Sequence, residues 1–140
     1  MELLYTAKAS VEGGRTGKVK SSDGALDLTL SMPKSLGGAG TEGATNPEQL
    51  FAAGYAACFD SALGLVSRQA RKSITSKVDA EVSIGKDTDG GFKLQATLNV
   101  GISGVGLDEA NELVHAAHKV CPYSKAINGN INVTLNTEVF

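Results

Sequence analysis

Tryptophan is absent from this 140-residue chain, and aromatic residues of any kind make up only 5% of it. Proline occurs three times and cysteine twice, too few thiols for a disulfide-stapled scaffold, so stability has to come from a packed core. An excess of either charge is also missing: 13 basic residues against 15 acidic give a net charge of -2. With no basic excess, binding through a phosphate backbone is not expected. The opening Met1-Glu2-Leu3-Leu4-Tyr5 has neither a basic flank nor a long apolar stretch, so no signal peptide is expected there. No uninterrupted apolar run approaches the roughly 18 residues of a membrane span, and no membrane partner is expected. The predicted location is the cytoplasm.

What is present is an ordinary apolar fraction, 41%, in a length that suits one domain over residues 1–140. Leu26, Leu28 and Leu30 alternate with polar residues, and Ser22-Asp23-Gly24 is turn chemistry, so segments 16–21 and 26–31 are predicted to form a hairpin. Residues 3–9 are expected to add a strand. Asn46-Pro47-Glu48-Gln49 reads as a helix start: an N-cap, a proline at the first helical position and a Gln completing the capping pattern. The helix is predicted to run to about Arg71. It is apolar or small almost all round, which calls for burial on several sides and hence for a second subunit. Two alternating strands follow, one carrying Val78, Ala80, Val82 and Ile84 and the other Phe92, Leu94, Ala96, Leu98, Val100 and Ile102. A helix capped by Asp108 then reaches about Lys119, and a last strand carries Ile131, Val133, Leu135, Thr137 and Val139. The order indicates an α+β fold with antiparallel pairing.

Four residues stand out chemically. Cys58 shares a face of the long helix with Phe51 and Tyr55. Mid-helix burial raises a thiol pKa, so Cys58 is an inert core thiol unless a cation and hydrogen-bond donors activate it. Cys121 ends a helix before Pro122, where a partly exposed thiol can approach a second one, although a capping-region core cysteine has the same sequence appearance. Arg15, among Gly13, Gly14 and Gly17, is either a solvated turn residue or a movable cation. Glu48 sits in the first turn of the long helix. Ten residues separate it from Cys58, about 15 Å along one helix, so the two cannot touch there. Other signals fail. The glycines of 37–43 lack a P-loop lysine, and His115 and His118 with Cys121 lack a metal-ligand pattern, so no metal or cofactor is expected. On residue inventory alone, a non-enzymatic apolar binding module and a cysteine hydrolase remain open beside a redox couple.

Three stretches together are specific: Gly13-Gly14-Arg15-Thr16-Gly17, Asn46-Pro47-Glu48-Gln49-Leu50-Phe51-Ala52-Ala53-Gly54-Tyr55-Ala56-Ala57-Cys58-Phe59, and Ala117-His118-Lys119-Val120-Cys121-Pro122-Tyr123-Ser124. In this order they resemble the Ohr branch of the Ohr/OsmC family, the organic hydroperoxide resistance proteins. The resemblance implies an intertwined OsmC-like homodimer with antiparallel sheets, a long central buried helix and sites at the subunit interface. It further implies a thiol peroxidase for organic and fatty-acid hydroperoxides, with Cys58 peroxidatic, Cys121 resolving, and Arg15 with Glu48 activating. A lipoylated protein or dihydrolipoamide is the implied reductant. Phe51, Tyr55, Phe59, Met32, Pro33 and Tyr123 are the candidates for an apolar substrate lining, each with core packing as its alternative role.

Overall fold

The computed structural model describes all residues, 1–140, as two compact units, Met1–Leu50 and Phe51–Phe140. The first holds a three-stranded antiparallel sheet of β1 (Ala9–Glu12), β2 (Lys18–Ser21) and β3 (Asp27–Thr29), in that order. The hairpin predicted around Ser22-Asp23-Gly24 is present. Asp23 Oδ1 accepts from the Ala25 N–H at 3.0 Å, and Gly24 takes the positive φ (76°) that closes the turn. Residues 3–9 do not form the expected strand. Register sets the limit: Ala9 already pairs with Ser21, where β2 gives way to its turn, so earlier residues have no strand opposite them. The turn joining β1 to β2 depends on Gly17, where a Cβ would stand 1.5 Å from the carbonyl oxygen of Glu12.

Helix α1 (Pro47–Gln69) starts where the sequence places it. Asn46 Oδ1 accepts from the Gln49 N–H at 2.8 Å, and the Gln49 side chain takes the Thr45 hydroxyl at 2.8 Å rather than reaching back to the cap. Averaged over 18 residues α1 is apolar enough, by length and composition, to cross a membrane, although Asp60 and Ser61 interrupt the apolar run; its leucines and alanines carry the average. In the fold it is a core helix. Tyr55, Phe59, Ala62, Leu63 and Val66 are buried at helical spacing. The all-round burial expected for α1 is not present in the single chain, since Ala53, Ala57, Ser61 and Leu65 form an exposed stripe on it.

The second sheet has the order β4 (Thr75–Lys86), β5 (Phe92–Ser103), β6 (Val133–Val139). β4 and β5 form the predicted antiparallel hairpin. β6, expected to be antiparallel, lies parallel to β5. The intervening helices carry the chain back along the sheet, which is the geometry of a crossover connection. Ala96, Leu98, Val100 and Ile102 of the central strand are buried on one face, in one core with the α1 residues and with α2 (Leu107–Val120). Gly106, not Asp108, is the N-cap of α2; Asp108 lies in its first turn, where a carboxylate favours the helix dipole.

Candidate functional site

In the first unit, Arg15 and Glu48 form a two-pronged ion pair. Arg15 Nη1 donates to Glu48 Oε2 at 2.9 Å and Nη2 to Oε1 at 2.7 Å. Gly13 and Gly14, at φ 81° and 56°, turn the backbone into the short 3-10 segment that presents Arg15. Fork-to-fork contact fixes orientation as well as charge. The hydrogen bond from Arg15 holds the Glu48 carboxyl below its ordinary range despite partial burial, and the same bond raises Arg15. Met32 and Pro33 lie half-buried in this unit.

In the second unit the two cysteines meet. Cys121 Sγ lies 3.7 Å from Cys58 Sγ, both thiols are free, and the direction of their burial reverses the expectation. Cys121 is fully buried and Cys58 half-buried. The reason lies in α2, whose buried stripe Ala110, Leu113, Val114, Ala117 reaches Cys121 at the next four-residue step. Cys121 leaves the helix in an extended conformation (φ -63°, ψ 121°), and Pro122 starts a further short helix, α3 (Pro122–Ile127). Burial pushes the Cys58 thiol up, the backbone N–H of Tyr123 draws it down, and the neighbouring Cys121 raises it.

Three rings pack beside the cysteines. Phe51 meets Tyr55 edge-on at 6.2 Å and Tyr123 at 6.1 Å, and the two tyrosine rings lie 5.9 Å apart. Gly54 makes room for this cluster: a Cβ there would stand 2.7 Å from the Tyr123 hydroxyl oxygen. Tyr55 and Phe59 are fully buried, whereas Tyr123 is 40% exposed. The Tyr55 hydroxyl is not free, since it lies 2.6 Å from Oγ of buried Ser124, which is also 2.9 Å from His118 Nδ1. Composition and spacing did not single out Ser124. Its signal is positional, a small polar residue three places after Cys121, as Tyr55 stands three places before Cys58.

Residues 39–136 match the family of OsmC-like proteins. The chain is 56% identical over 133 residues to the organic hydroperoxide resistance protein OhrA of Bacillus subtilis, covering 94% of each. Its fold matches the crystal structure of an organic hydroperoxide resistance protein from Elizabethkingia anophelis with a TM-score of 0.94, at 48% identity over the full length of both. A corresponding protein from Legionella pneumophila matches at TM-score 0.93 and 50% identity, over 99% of this chain and 100% of that one. The chain therefore belongs to the OsmC-like family and, within it, to the Ohr organic hydroperoxide resistance proteins, with a role in organic peroxide detoxification.

Proposed function

We propose that this protein is a cysteine-based thiol peroxidase that reduces organic hydroperoxides, fatty-acid hydroperoxides among them, to alcohols. The observation that carries the reading is the 3.7 Å separation of two free sulfurs, one buried and one half-buried. A disulfide needs the sulfurs about 2.0 Å apart, so closure takes about 1.7 Å of approach, within reach of side-chain rotation.

In this mechanism the Cys58 thiolate attacks the distal oxygen of the hydroperoxide. The O–O bond breaks, the alkoxide takes a proton and leaves as alcohol, and Cys58 becomes a sulfenic acid. Cys121 attacks the Cys58 sulfur, the S–O bond breaks, and the oxygen leaves as water with the Cys121 proton. The disulfide protects Cys58 from further oxidation. A lipoyl dithiol, free or protein-bound, restores both thiols by exchange and is itself oxidised. Burial alone leaves Cys58 poorly ionised at neutral pH. We assign Arg15 as the cation that offsets this penalty and Glu48 as the group that orients it, because a bidentate carboxylate fixes the plane of the guanidinium.

The apolar lining for the organic group is assigned to Phe51, Tyr55, Phe59, Met32, Pro33 and Tyr123, of which Phe51 and the part-exposed Tyr123 pack ring against ring. We also assign the working unit as a cytoplasmic homodimer in which residues 1–140 act as one domain. Support comes from apolar surface left uncovered in one chain: Leu3, Leu4 and Tyr5 near the N-terminus, and Leu65 on the exposed stripe of α1.

Single-turnover oxidation by cumene hydroperoxide tests the assignment. Cys58→Ser is expected to abolish peroxide consumption. Cys121→Ser is expected to consume one equivalent and stop at an oxidised Cys58 without a disulfide. Full activity in Cys58→Ser would overturn the reading.

A further inference from the structure

The short helix that follows Cys121 has little to hold it on its own. α3 spans six residues, too short to be stable by its own backbone bonds, and a single extended residue, Cys121, joins it to α2. Cys121 itself is buried and caps α2 through its N–H on the Ala117 carbonyl oxygen at 2.8 Å, but the course of the chain after it, and with it the aim of its sulfur at Cys58, depends on what anchors α3 from outside: the Tyr123 ring on Phe51 and Tyr55, Ile127 against the core, and Ser124. Ser124 is the one residue of α3 that is buried, and its hydroxyl meets two other elements at once. It lies 2.6 Å from the Tyr55 hydroxyl on α1 and 2.9 Å from Nδ1 of His118 on α2. With the His118 proton on Nε2, Tyr55 O–H donates to Ser124 Oγ and Ser124 O–H donates to His118 Nδ1, which leaves all three groups satisfied. Burial favours that neutral ring. Two of these three residues lie beside the thiols in sequence: Tyr55 is one helical turn before Cys58, and Ser124 is three residues after Cys121.

We propose that Ser124 is a positioning residue for disulfide formation: by bonding Tyr55 and His118 together, its hydroxyl pins α3 and holds Cys121 at closing distance from Cys58. The step it serves is the attack of the Cys121 sulfur on the oxidised Cys58 sulfur, with the leaving oxygen departing as water. Formation of the sulfenic acid does not pass through Ser124 and is expected to be indifferent to it. The assignment rests on the thiol peroxidase reading for its place in the reaction, while the clamp itself is a property of the two thiols and can be read with another oxidant.

The test follows the two steps separately in full-length protein. After one equivalent of cumene hydroperoxide, Ser124→Ala is expected to form the Cys58 sulfenic acid within twofold of the wild-type rate. It should then close the disulfide at least tenfold more slowly, with Cys58 trapped as a dimedone adduct that wild type does not accumulate. Tyr55→Phe, which removes one hydroxyl at nearly constant volume, should slow closure in the same sense. The double variant should close no more slowly than Ser124→Ala, since that change already removes both bonds. Closure at the wild-type rate in Ser124→Ala, equal slowing of both steps, or effects that multiply in the double variant would each overturn the proposal. Should Ser124→Ala fail to fold, wild-type closure in Tyr55→Phe overturns it. A parallel arm uses diamide, which adds to a thiol and is displaced by the second, so closure is read without a peroxide. If cumene hydroperoxide leaves wild-type Cys58 untouched, the peroxidase reading fails, and the diamide arm still decides the role of Ser124.

Discussion

At the scale of single residues, charge placement decides what the thiol can do. Burial raises Cys58, so a thiolate at neutral pH needs outside help, and Arg15 is the residue assigned to give it. Arg15→Ala is expected to lower the rate of Cys58 oxidation about 100-fold or more, the order by which removal of one electrostatic stabiliser slows other enzymes. Stopped-flow loss of thiol with cumene hydroperoxide measures it. Glu48 makes a pH prediction of definite sign. Its carboxyl is held down in the folded chain by the Arg15 hydrogen bond, so the pair stabilises the fold above the unfolded carboxylate pKa of about 4.3, and the contribution fades as pH falls through the lower folded value. Arg15 is about a third exposed, so solvent discounts the pair, and Glu48→Gln should cost about 1 kcal/mol at pH 7. Chemical denaturation of both proteins across pH should show this gap narrowing below about pH 4; a gap that widens in acid would contradict the assignment.

At the scale of elements, periodicity carried most of the information. The alternation of β5 was visible in the chain and the strand is where the sequence puts it, and α2 runs close to the predicted span although its cap is Gly106. The central strand is the most demanding element, because Leu98 is fully buried between neighbours on both sides of the sheet order. Leu98→Ala is expected to cost about 2–5 kcal/mol, read as a lowered denaturation midpoint. Three features were not legible, each for a physical reason. The parallel direction of β6 depends on where the helical crossover returns the chain, which local alternation does not encode. The burial of Cys121 follows from the α2 stripe running one step past the helix end, up to the proline that marks the break. The anchoring of α3 needs Tyr55 and Ser124 to meet across 69 positions of sequence. The candidate residues themselves were legible, but what joins them was not: spacing places Cys58 and Cys121 on separate helical segments, and only the packed fold sets their sulfurs 3.7 Å apart.

At the scale of the whole molecule, a helix apolar enough to pass for a membrane span is left with one stripe uncovered in the single chain. Large exposed apolar side chains at Leu3, Leu4, Tyr5 and Leu65 are the basis of the proposed homodimer. Sedimentation analysis is expected to give a dimer of the 14.4 kDa chain, and Leu65→Glu, which sets a charge on that stripe, is expected to shift it toward monomer. A wild-type monomer at micromolar concentration would remove the homodimer from the account. Peroxidase chemistry at Cys58 and Cys121 is read directly from the thiols. Pre-reduced protein receives one equivalent of cumene hydroperoxide in one sample and of hydrogen peroxide in another, and free thiols are counted after a short incubation. Rapid loss of both Cys58 and Cys121 thiols is expected with the organic peroxide and slow loss with hydrogen peroxide; persistence of both thiols in both samples would contradict the peroxidase assignment.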